Sequence, residues 1–89
     1  MNFDEARTQL RQFTPDGLLT DVRLAEYNGL QIAILFRSMA ASAPILVVSG
    51  HDDPVIRSEV RSIGGAVFLP KPVDIDDLVD YFRQRLEAI

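Results

Sequence analysis

The 89-residue chain contains no cysteine and no tryptophan, and it has a single histidine, His51. Disulfides and thiolate metal sites are therefore excluded, and the composition fits a reducing cytoplasm. No apolar run approaches the roughly 20 residues that a membrane-spanning helix needs, and the N-terminus has no signal-peptide pattern. There is no basic run, and 9 Lys+Arg against 13 Asp+Glu leave a net charge of −4. Nucleic acid and membrane are thus not expected as partners, and a cytoplasmic protein is expected. Internal repeats, low-complexity segments and linkers are also missing. What is present is 47% hydrophobic and 25% charged residues, the balance of a single small folded domain over residues 1–89. A chain this short buries only ~60–65% of its unfolded surface, so its stability margin is thin.

Three short apolar runs organise the chain: Gly17-Leu18-Leu19-Thr20-Asp21, Ile45-Leu46-Val47-Val48-Ser49 and Ala66-Val67-Phe68-Leu69-Pro70-Lys71. Bounded by Pro and Gly, they read as strands buried on both faces, the pattern of a parallel sheet. Helical periodicity fills the intervals. Phe3, Ala6, Leu10 and Phe13 mark a first helix with Asn2 as cap, and Asn28 caps a second from Gly29 to about Ala41. Asp53 and Pro54 open a third helix, with Ile56, Val60 and Ile63 as its stripe and Gly64-Gly65 as its end. Asp74 caps a fourth, with Ile75, Leu78, Val79, Phe82, Leu86 and Ile89 at helical spacing; this stripe reads as packing. Strands alternating with helices imply βαβ crossovers and an α/β fold with a parallel sheet.

Each apolar run ends on a polar side chain, and ligands of open parallel sheets bind at the carboxyl ends of the strands. Asp21, Ser49 and Lys71 should therefore meet at one rim. A carboxylate, a hydroxyl and an ammonium suit a phosphoryl group carried on the carboxylate, with Asp21 as nucleophile, Ser49 as donor and Lys71 as charge partner. His51 reads as a surface residue without a base or ligand role, and Asp52 and Asp53 read as helix-start residues.

The motifs Leu18-Leu19-Thr20-Asp21-Val22, Asn28-Gly29-Leu30, Pro44-Ile45-Leu46-Val47-Val48-Ser49-Gly50 and Gly65-Ala66-Val67-Phe68-Leu69-Pro70-Lys71-Pro72 occur in the order of a response-regulator receiver domain. The chain resembles that family from Phe3 onward. The resemblance implies a flavodoxin-like fold, a place in a histidine-to-aspartate phosphorelay, and a sensor histidine kinase or phosphotransfer protein as partner. It makes Asp21 the phosphoacceptor, with Ser49 and Lys71 contacting the phosphoryl group. Phe68 takes the place of the aromatic switch, Pro72 should follow a cis peptide bond, and the Arg23 carbonyl is the main-chain Mg²⁺ ligand beside Asp21.

A full receiver begins with a β-α-β unit whose first strand ends in an acidic pair that holds Mg²⁺. This sequence starts at the following helix, and Asp4, Glu5 and Asp16 are wrongly placed to substitute. The expectation is a receiver truncated to about three parallel strands, not an enzyme in its own right, with weakened Mg²⁺ binding and impaired self-phosphorylation. The Asp21 strand becomes an edge. Ile34 and Leu35 widen the apolar side of the second helix, so a homo-oligomer is expected, built through the strand edge, that helix or swapped elements. Two alternatives accompany this reading: a degenerate, phosphorylation-independent dimerisation or interaction module, and a fragment of a longer receiver.

Overall fold

The computed structural model describes residues 2–24 and 27–87, so Ile89, the last member of the expected fourth stripe, lies outside the described residues. The order is α1 (Phe3–Gln12), β1 (Leu18–Asp21), α2 (Gly29–Met39), β2 (Ile45–Ser49), α3 (Pro54–Arg61), β3 (Val67–Pro70) and α4 (Ile75–Leu86). All four helix starts follow the expected capping chemistry. Asn2 and Asn28 form capping boxes with Glu5 and Gln31, Asp53 accepts from the Val55 amide ahead of Pro54, and Asp74 accepts from the Asp76 amide.

The strands form one parallel sheet in the order β1-β2-β3. The α/β parallel architecture expected from the alternating pattern is therefore present. Parallel register aligns Asp21 with Val48 and Ser49 with Pro70, which brings all three strand ends to the same side. Among the described residues β1 pairs only with β2 and is an edge of this sheet, as expected.

The sheet is covered unevenly. Alternate residues Leu18, Ile45, Val47 and Phe68 face a core built with Ala6 and Leu10 of α1, Leu30, Ala33 and Phe36 of α2, and Val60 of α3. On the opposite face, among the described residues, α4 reaches the sheet through the Tyr81 hydroxyl on the Ile45 carbonyl. Only β2 is buried along its whole length; β1 and β3 are partly open, and Leu19 remains 48% exposed. The expectation of strands buried on both faces holds for the central strand and fails for its neighbours, because one helix does not span three strands.

Two apolar stripes also differ from expectation. Phe13 is the C-cap of α1 and turns to solvent rather than inward. On α4 the buried residue is Tyr81, whose hydroxyl donates to the Ile45 carbonyl at 3.0 Å, while Ile75, Val79 and Leu86 are exposed. α3 stops at Arg61, so Ile63 is buried from the turn beyond the helix. On α2, Leu35 packs partly against the core and Ile34 is left as the exposed apolar residue, narrower than the sequence pattern implies.

Gly29 holds the junction between β1 and α2. Its amide donates to the Val22 carbonyl at 2.9 Å, and a Cβ there would lie 1.8 Å from the Asp21 carbonyl oxygen and 2.7 Å from Thr20 Oγ1. Relief of glycine's conformational entropy is worth up to about 1 kcal/mol in a helix interior and less at a first helical position. A clash with main chain outweighs that gain. Gly29→Ala is expected to lower stability by about 1–3 kcal/mol, read as a reduced urea midpoint, whereas Gly64→Ala, with nothing within 4 Å of its Cβ, should fall within about 0.5 kcal/mol of the parent.

Candidate functional site

The site begins with an ion pair that joins residues 50 apart in sequence. Lys71 Nζ donates to Asp21 Oδ2, bridging the ends of β3 and β1 across β2. The other carboxylate oxygen, Oδ1, accepts from the Arg23 amide at 3.0 Å, so the turn after β1 fixes the orientation of the carboxyl group. Partial burial pushes the Asp21 pKa up. The Lys71 hydrogen bond, the Arg23 amide and the charges of both residues outweigh that effect and hold it below its ordinary value of 3.8.

Ser49 stands on the same rim, between the two, but one register step from each. Alternation along the strands sends its side chain toward the other face of the sheet. The side chain is fully buried, and Oγ accepts from the His51 amide at 3.1 Å, closing the turn after β2. The Ser49 carbonyl in turn accepts from the Lys71 amide at 2.8 Å, which fixes where Lys71 leaves the sheet. Thus Asp21 and Lys71 touch, while Ser49 supports the base of Lys71 through main chain.

The Lys71–Pro72 peptide is cis, as expected. Phe68 is half-buried on the core side, and the Arg57 guanidinium lies 4.8 Å above its ring. That guanidinium also pairs with Asp52, with Nη2 to Oδ2 at 3.0 Å. Arg57 thus links the β2–α3 loop to the aromatic of β3, a contact the sequence reading missed because a solvent-facing arginine in a helix carries no periodic signal. Asp53 caps α3 as expected, and His51 lies on the surface.

Mg²⁺ prefers near-octahedral oxygen ligation from one or two carboxylates together with phosphate oxygens and water. Among the described residues no group of three or more His, Cys, Asp or Glu side chains could hold a metal ion. The Asp21 carboxylate is already engaged on both oxygens, by the Arg23 amide and the Lys71 ammonium. These residues alone do not make a cation cage.

The family described as the response regulator receiver domain matches residues 1–83. The chain is 32% identical over 84 residues to Protein RcaC of Microchaete diplosiphon, covering 92% of this chain and 13% of that protein. It is 31% identical over 78 residues to the DNA-binding transcriptional regulator NtrC of Salmonella typhimurium, covering 88% of this chain and 17% of that protein. Its length is therefore a small part of these curated relatives. The crystal structure of a putative response regulator from Chloroflexus aurantiacus superposes with a TM-score of 0.79 at 25% identity, over 97% of this chain and 72% of that one. With an aspartate and a lysine paired at the carboxyl rim of a parallel sheet, and the family matched over nearly its whole length, the chain belongs to the response regulator receiver domains, the signalling modules of two-component systems.

Proposed function

We propose that residues 1–89 act as one receiver-like unit that accepts a phosphoryl group on Asp21. The observation that carries this reading is the Lys71 ammonium held against the Asp21 carboxylate. A nucleophilic carboxylate must be ionised, and the lowered pKa keeps Asp21 anionic throughout the physiological range. In the transfer, an Asp21 carboxylate oxygen forms the new bond to phosphorus. The donor's bond to phosphorus breaks, and the leaving group keeps that electron pair. Lys71 then neutralises charge on the phosphoryl oxygens. Ser49 Oγ accepts from the His51 amide and keeps its own O–H to donate; rotation of the buried side chain toward the rim directs that hydrogen to a phosphoryl oxygen. Phe68 lies on β3 and Pro72 follows Lys71 beyond it, with Phe68 as the aromatic that repacks.

Receiver domains interact with histidine kinases or phosphotransfer proteins, and a phosphohistidine on such a partner, in the cytoplasm, is the donor proposed for this chain. Receiver domains also generally bind Mg²⁺ where they are phosphorylated. With one carboxylate and the Arg23 carbonyl as donors, this chain on its own binds the ion weakly, and we assign no step to it.

Incubation with a small acyl phosphate and Mg²⁺, followed by intact-mass measurement, should add one phosphoryl group to the wild type and none to Asp21→Asn. Lys71→Ala should slow the addition roughly 10²–10³-fold. A wild type that takes up no phosphoryl group rejects the acceptor reading in favour of a phosphorylation-independent interaction module.

The ionisation of Asp21 gives a separate prediction. Because its pKa is lower folded than unfolded, its contribution to stability is complete above 3.8 and is lost as pH falls through the folded value. A ¹³C NMR titration of the side-chain carboxyls should give Asp21 a midpoint below 3.8, and Lys71→Ala should move that midpoint upward.

A further inference from the structure

At the end of the sheet opposite Asp21, a cleft of about 350 Å³ opens between the loop that enters β2, the Gly64-Gly65 turn before β3, and α4. Its volume lies at the lower end of the range for small-molecule sites. β2 spans five residues, so the cleft is roughly 13 Å along the sheet from the acceptor rim. The chain carries a net charge of −4, yet no acidic side chain lines this cleft, and Asp16 lines a separate one beside the same loop. Two arginines do line it, Arg37 of α2 and Arg85 of α4. Arg37 is half-buried, and its Nη1 donates to the Ala40 carbonyl at 2.9 Å and the Ala43 carbonyl at 2.7 Å, which fixes the guanidinium. Its Nε is buried without an acceptor among the described residues, and Nη2 lies beside Gly65, 3.7 Å from where a Cβ would stand. Nε and Nη2 form the edge of a guanidinium that grips an oxyanion through two parallel hydrogen bonds. Arg57 uses this edge on Asp52, whereas among the described residues Arg37 turns it to no acid. Arg85 reaches the same cleft from α4, with its guanidinium 3.8 Å over the Tyr81 ring and Nη1 donating to the Tyr81 carbonyl at 3.1 Å. Burial pushes the Tyr81 pKa up and the charges of Arg85 and Arg37 act against it, so both cations lie close to one phenol.

We propose that this cleft binds a small phosphate monoester, with the phosphate bridging Arg37 and Arg85. Two like charges facing one cleft repel each other, and a buried donor without an acceptor is costly. An anion between the guanidiniums relieves both. A carboxylate offers two oxygens and one charge, which the Nε–Nη2 edge of Arg37 alone would use. A phosphate monoester carries three terminal oxygens and nearly two charges, so it meets that edge and still accepts from Arg85. The Ser42 hydroxyl and the main chain of Gly64 and Gly65 lie on the same walls as neutral donors. Gly65 has φ of 76°, a left-handed backbone suited to glycine, and so no side chain stands between the turn and Arg37 Nη2. The cleft is larger than a bare phosphate and leaves room for the organic group of an ester. Its walls come from α2, the turn before β3, and α4, so a bound ester ties three elements together. Occupancy is independent of phosphoryl transfer to Asp21.

The test is a titration of the ¹⁵N-labelled 89-residue chain with ribose 5-phosphate at constant ionic strength, followed by NMR. The amides of Gly64 and Gly65 and the Arg37 Nε–H should shift saturably, with a Kd of about 1 mM or below. Inorganic phosphate should move the same groups with weaker affinity, and acetate should not move them. Arg85→Gln, at an exposed position, should remain folded by circular dichroism and weaken binding about tenfold. Arg83→Gln, on the opposite side of α4, makes the same change of charge and should leave binding unchanged. Arg37→Lys keeps the charge and loses the paired edge, and should also weaken binding about tenfold. Ribose 5-phosphate that produces no saturable shift overturns the proposal. So does an equal response to acetate, a response confined to the rim around Asp21, or binding that Arg85→Gln leaves intact.

Discussion

The bridge from Lys71 to Asp21 is the contact around which this site is arranged. It joins the two outer strands over the end of the central one, and its geometry depends on every layer beneath it. Lys71 leaves the sheet where its amide meets the Ser49 carbonyl, and Asp21 is oriented by the Arg23 amide. An anion and a cation placed so closely in a partly buried position leave the carboxylate charged and accompanied by a single cation. The pair is a strut of the fold that closes the rim between the two outer strands.

Parallel register supplies the scaffold for that pair. Three strands running in the same direction collect their carboxyl ends on one side, and β2, buried along its whole length, acts as the rigid reference for its neighbours. Three helices cover one face and one helix covers the other, so the molecule has a well-packed side and a thinly covered side. Tyr81 ties the lone helix down through a buried hydrogen bond to Ile45 rather than through a broad apolar contact. The site lies where the two sides meet.

Much of this was legible in the residues themselves. The β2 run read as a strand buried on both faces, and it is one. Asn2, Asn28, Asp53 and Asp74 marked the helix starts because a short polar side chain ahead of an apolar period has one favourable use there. Strand ends on Asp21, Ser49 and Lys71 located the rim. What escaped the sequence depended on partners distant in the chain. The exposure of Leu19, Ile75 and Val79 follows from how much of the sheet one helix covers, which periodicity does not encode. The direction of the Ser49 hydroxyl follows from a one-residue register offset, and the placement of Arg57 over Phe68 from the packing of α3 on β3.

The junction at Gly29 has a mechanical consequence. With no side chain between them, the first residue of α2 and the carbonyl of Asp21 meet as main chain on main chain, and the amide of Gly29 is fastened to the next carbonyl along. The spacing between the rim and the first turn of the eleven-residue α2 is thus set by main chain alone, and any side chain at position 29 would have to part the two segments.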